Sequence, residues 1–112
     1  MDFPELIRLH LLPVLQERGF VIVSEDDRSV DLEAGELRAQ AIVSPRGEFE
    51  LAIFPAGSQP YEGWRYFGMV GRASIERLIE LGAQEVRREP RILAGDRAFY
   101  AEFNSPQERH LP

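Results

Sequence analysis

Ser29-Val30-Asp31-Leu32-Glu33-Ala34-Gly35-Glu36-Leu37-Arg38-Ala39-Gln40-Ala41-Ile42-Val43 is the stretch on which the fold turns. Val30 and Leu32 alternate with Ser29, Asp31 and Glu33, and Leu37, Ala39, Ala41 and Val43 alternate with Arg38, Gln40 and Ser44. A period of two puts successive side chains on opposite faces of a strand, one apolar and one wet. Gly35 marks the turn between the two runs. Downstream, Ser44-Pro45-Arg46-Gly47 is a strong turn signal, and Phe49, Leu51 and Ile53 then alternate with Glu48 and Glu50. Upstream, Phe20 to Ser24 is a β-branched run followed by a charged turn, Glu25-Asp26-Asp27-Arg28. Four short strands with short connections predict an antiparallel meander that is solvated on one face.

The residues before the meander supply a cover for its apolar face. Phe3 to Arg18 reads as a helix, with Asp2 as its cap and Glu5 three residues later completing a capping box. Leu6, Ile7, Leu9, Leu11, Pro13, Val14 and Leu15 form its apolar side, and Gly19 is its stop. Pro13 cannot donate to the Leu9 carbonyl, so a kink or break is expected there. Beyond the meander, Pro55 to Gly63 is a loop, and Trp64 to Gly71 is a candidate fifth strand. Arg72 to Leu81 has helical spacing, with Gly82 as its expected stop. Phe99, Tyr100 and Phe103 fit a helix opening at Asp96, whereas Phe99, Ala101 and Phe103 fit a strand; Ala98 and Ala101 favour helix. Residues 105–112 are expected to be a flexible tail. The expected fold class is α+β in a single domain: an N-terminal helix on a meander of four to five strands, followed by C-terminal helices.

With 112 residues and 44% hydrophobic content, the chain can bury a core without staples. It has no cysteine, which excludes disulfides, thiolate metal sites and a cysteine nucleophile. The opening Met1-Asp2-Phe3-Pro4-Glu5 lacks the cationic start and apolar run of a signal peptide, so the cytoplasm is the expected compartment. The net charge of −6 is local: residues 1–36 hold nine acids and three arginines, whereas ten acids meet ten arginines from residue 37 onward. Every basic residue is arginine, and no basic footprint for nucleic acid stands out. An acidic first third steers a cationic protein partner, or simply keeps the chain soluble.

No catalytic constellation emerges. His10 and His110 are the only histidines; His10 reads as a partly buried helix residue, and Ser74 as a helix cap rather than a nucleophile. Glu25, Asp26, Asp27, Asp31 and Glu33 lack the ligand spacing and mid-loop glycine of a calcium loop, so they read as a solvated hairpin rim or, at most, a weak divalent site. Gly63, Gly68 and Gly71 precede a helix, but not at the spacing of a phosphate-binding loop. No metal or other cofactor is expected.

Tyr61, Trp64, Tyr66 and Phe67 fall within seven residues around Arg65. Aromatics beside an arginine suit an interface hot spot, and equally suit the end of a core under a long loop. In a strand, Trp64 and Tyr66 point one way and Arg65 and Phe67 the other. The candidate binding residues are therefore Tyr61, Trp64, Arg65 and Tyr66, with Asp26 and Asp27 for charge steering.

The run Leu9-x-x-Leu12-Pro13-Val14-Leu15-Gln16-Glu17-Arg18-Gly19-Phe20, followed by a meander, resembles small bacterial α+β proteins of the immunity type. Some of these are encoded beside polymorphic toxins, which they bind and block. The resemblance covers the first half of the chain and implies a non-enzymatic inhibitor of one protein partner, with no catalytic residues to carry over. Two other readings stand beside it. One is a small-molecule binder or minor enzyme that uses Arg65 or Arg72 on an anionic ligand under the 55–71 loop. The other is a homodimer joined through the aromatic strand.

Overall fold

The computed structural model describes residues 1–105. Its elements run α1 (Phe3–His10), α2 (Leu12–Gln16), β1 (Val21–Asp26), β2 (Ser29–Ala34), β3 (Leu37–Val43), β4 (Glu48–Pro55), a 3₁₀ turn (Pro60–Glu62), β5 (Trp64–Met69), α3 (Ile75–Arg88), α4 (Pro90–Leu93) and α5 (Arg97–Asn104). The expected α+β architecture is the observed one, with all five strands in one antiparallel sheet in the order β1-β2-β3-β4-β5.

The capping box forms as expected: the Glu5 amide donates to Asp2 Oδ1 at 3.0 Å, and Glu5 accepts from the Asp2 amide. The expected break falls at Leu11, between α1 and α2, two residues before Pro13. Leu9 and Pro13 face solvent, so the apolar side of the segment is narrower than its composition suggests: Leu6, Ile7, Leu11, Val14 and Leu15 are buried, and Leu9 is not. Gly19 ends α2 with φ +85°, and the Phe20 amide donates back to the Leu15 carbonyl, returning the chain towards the sheet.

Strand register sorts the side chains. Leu32, Ala39, Ile53 and Trp64 lie in one cross-strand row and Val30, Ala41, Leu51 and Tyr66 in the next, both on the face that the helices cover. β1 runs on to Asp26, so the charged turn is tighter than expected and only Asp27 and Arg28 lie between paired residues.

One boundary differs in kind. Gly82 does not stop α3, which continues to Arg88. A Cβ at Gly82 would lie 3.4 Å from Leu51 and Tyr66 and 3.6 Å from Phe49, so glycine here lets the helix lie close against β4 and β5. The actual stop is Glu89, which adopts an extended conformation (φ −119°, ψ 93°) because Pro90 follows it. Ser74 caps the start, accepting from the Arg77 amide at 3.1 Å.

The ambiguous 96–104 segment is a helix. Asp96 caps it, accepting from the Phe99 amide at 2.9 Å, and Tyr100 on its inner side is buried with its hydroxyl donating to the Ile92 carbonyl. Asn104 closes the helix, donating to the Tyr100 carbonyl at 3.0 Å and to the Gly63 carbonyl at 2.7 Å. The expected tail lies outside the described residues beyond Ser105.

Burial, with the Asp96 carboxylate nearby, pushes the Tyr100 phenol up to about 12. The folded state thus holds this proton when the unfolded chain, near pH 10, has begun to lose it. Stability from this group is complete below about pH 10 and is lost as pH rises towards 12. Tyr66 shifts upward as well, mainly through burial. Chemical denaturation between pH 8 and 11.5 is expected to show an alkaline decline that Tyr100→Phe makes shallower. An equally steep decline in that variant would place the sensitivity elsewhere.

Candidate interaction face of the sheet

Alternation leaves the second face of the sheet uncovered by the helices. Its rows are Ser24-Asp31-Gln40-Ala52-Arg65, then Asp26-Ser29-Ile42-Glu50-Phe67, with Val21-Glu33-Arg38-Phe54 towards one end and Glu48-Met69 at the other. Ala52 and Phe54 form a buried floor, whereas Phe67 is 59% exposed and Met69 44%. Glu33 pairs with Arg38 at 3.4 Å, and Gln40 donates to Asp31 at 3.2 Å. Among the described residues, Glu48 and Glu50 have no cation within ion-pair distance, although both flank the exposed Phe67 and Met69.

The candidate residues named from sequence do not form one surface. Trp64 is only 6% exposed and lies in the core opposite Ile53. Tyr66 is half-buried on the same inner face, its ring 6.3 Å from that of Phe49. Arg65 points to the open face, its guanidinium 5.9 Å from the centre of the Phe67 ring and 3.4 Å from Asn104 Oδ1. Tyr61 stands apart on the 3₁₀ turn, 62% exposed. Asp26 accepts from the amides of Arg28 (2.8 Å) and Ser29 (3.0 Å), which hold its carboxyl below the usual range and commit it to the β1–β2 turn. Asp27 is exposed at the tip of that turn. The residue that sequence reasoning left off its candidate set is Phe67; its alternation with Tyr66 was the signal, once the direction of the buried face was known.

The remaining chemistry-bearing groups are held in structural contacts. His10 sits in the seam between α1 and α3, its Nε2 2.6 Å from Glu76 Oε2 and its Nδ1 3.8 Å from Glu80 Oε2. At Gly68 a Cβ would lie 2.4 Å from Leu78, so that glycine serves the packing of α3 on β5. Beside the 55–63 loop is a cavity of about 140 Å³ lined by Pro55, Ser58, Glu62, Arg97, Tyr100 and Ala101; neither Arg65 nor Arg72 lines it. Among the described residues, no three His, Cys, Asp or Glu side chains converge as metal ligands. No described helix is long and apolar enough to cross a membrane.

Models of known protein families, curated proteins and solved structures give no match to this chain. The open sheet face is therefore read from its own geometry.

Proposed function

We propose that this chain is a non-enzymatic binding protein of the inhibitor or immunity type, and that the open face of its sheet receives a cationic protein partner. One observation carries the reading: Glu48 and Glu50 stand without a described cation partner beside the exposed Phe67 and Met69. Carboxylates in such a position cost little in water and attract a basic surface as it approaches. An aromatic and a methionine between them offer the apolar contact that interface centres favour. The acid excess of residues 1–36 extends the same sign of charge across the β1–β2 hairpin at the other edge. The small-ligand reading under the 55–71 loop has less support, since the cavity there, of about 140 Å³, is well under the ~300 Å³ at which ligand pockets usually begin.

The test compares tagged wild-type protein with Phe67→Ala and with the double variant Glu48→Arg/Glu50→Arg, each first shown to melt like the wild type. Each is used to capture partners from native lysate at low salt, followed by elution with a salt step. The wild type is expected to retain a basic protein that salt releases. Phe67→Ala is expected to weaken its binding by about 2 kcal/mol or more, and the charge reversal to abolish retention at low salt. A protein retained equally by all three does not use this face, and its capture would overturn the assignment.

A further inference from the structure

The β1 edge offers a second level of detail about such a partner. β1 pairs only with β2, and no described backbone group outside the sheet hydrogen-bonds to Val21–Asp26. Among the described residues its outward N–H and C=O groups have no backbone partner, and such a row is the template on which an extended chain adds as another strand. The register shifts at Val23, and Val21 and Val23 are 56% and 48% exposed along this edge.

Beside the edge, the open face dips into a groove of about 330 Å³. Val23 and Phe54 supply its apolar side chains, and Ser24, Asp31, Arg38 and Gln40 its polar groups. Arg38 is engaged by Glu33. Asp31 takes one bond from Gln40 and has no cation partner among the described residues. Ser24 lies between Asp31 and the free edge in the same cross-strand row, and its small side chain leaves the path open. With strands ~4.8 Å apart, Asp31 lies about two spacings, ~10 Å, from the backbone of a strand added to β1. A long side chain opposite Ser24 spans that distance, with its stem over Ser24 beside Val23 and its head at the Asp31 carboxylate.

We infer that the β1 edge accepts an extended segment of a protein partner by strand addition, with an arginine or lysine of that segment crossing Ser24 to reach Asp31. The inference rests on the cationic-partner reading above and specifies how such a partner engages. Charge selects the occupant: residues 25–33 carry five carboxylates against one arginine, and although Arg8 pairs with Glu25 and Arg38 with Glu33, the hairpin stays net negative, which repels a second copy of itself and attracts a basic strand.

The probe is a synthetic peptide, Thr-Arg-Val-Arg-Val-Arg-Thr, titrated into the full chain while backbone amide shifts and hydrogen exchange are followed. Binding is expected to protect amides within Val21–Asp26. Asp31→Asn is expected to weaken it about tenfold, the order for losing a hydrogen bond to a charged group. A peptide methylated on alternate backbone nitrogens, which cannot pair, is expected not to protect the edge. Shifts confined to Phe67–Met69, with β1 unprotected, would overturn the edge assignment and leave the cationic-partner reading standing. No shifts anywhere at millimolar peptide would overturn both. Edge protection that grows with protein concentration in the absence of peptide would overturn the inference by assigning β1 to a second copy.

Discussion

Gly63→Ala is expected to cost about 3 kcal/mol of stability or more, the largest effect of any glycine-to-alanine change in this chain. A Cβ at this position would lie 2.0 Å from the Ile53 carbonyl oxygen and 2.6 Å from the Phe54 Cα. Both atoms belong to the backbone of β4, which is held on one side by β3 and on the other by β5. No rotamer change relieves such a collision; either the entry to β5 or the end of β4 must move. Moving the entry also strains the bond from Asn104 to the Gly63 carbonyl, and with it the end of α5. For a domain whose total stability is of the order of 5–15 kcal/mol, a loss of this size removes a large fraction. Urea denaturation followed by Trp64 fluorescence reads it directly. A midpoint unchanged from the wild type would mean that the close approach at Gly63 is not part of the native state.

Trp64→Ala is expected to cost a further class of energy, about 3–5 kcal/mol, through the cavity left where a buried indole packs against the core. Tyr61→Ala, three residues earlier, is expected to fall within about 0.5 kcal/mol of the wild type because its ring is in solvent. The pair separates two roles inside one aromatic cluster. Thermal melts of both variants decide it: equal small losses would take Trp64 out of the core, and equal large losses would bring Tyr61 into it. The same contrast says which aromatics are usable as binding probes. A Trp64 variant reports on folding first, whereas Phe67 on the open face reports on contact.

The meander was legible because its signals agree with one another. Val30 and Leu32, Ala39 and Ala41, and Leu51 and Ile53 each repeat at two, and the turns between them are short. The register that pairs them follows from the same pattern, since a slip by one residue would turn every apolar side chain outward. Gly82 was misread for a physical reason: a helix-ending glycine and a helix-packing glycine look alike until the partner surface, here Leu51, Tyr66 and Phe49, is known. Leu9 is exposed because, at ~100° per residue, it falls on the flank of the stripe that Phe3, Leu6 and Ile7 form, and a count of apolar residues does not separate flank from centre. The candidate site was less legible still. Alternation in β5 assigned Trp64 and Tyr66 to one face and Arg65 and Phe67 to the other, but which face the helices cover depends on contacts between distant segments. Asp26 illustrates the same limit: its carboxylate keeps its charge, but the amides of Arg28 and Ser29 fix its position to the turn it sits in.

The strand order has a consequence for how the chain matures on the ribosome. Each strand pairs with the one made just before it, so the sheet needs only short loop closures and can assemble as it emerges. By the time β5 is complete, α1 and α2 can cover the β2 side of the inner face and, through Phe3, the ring of Phe49, while Leu51 and Tyr66 still await α3. The nascent domain thus passes through a stage in which its last-made half is apolar and bare. That stage ends when α3 lays Gly82 against the sheet and α5 brings Asn104 to the Gly63 carbonyl. That vulnerable stage lasts for the interval needed to translate one helix and its short successors.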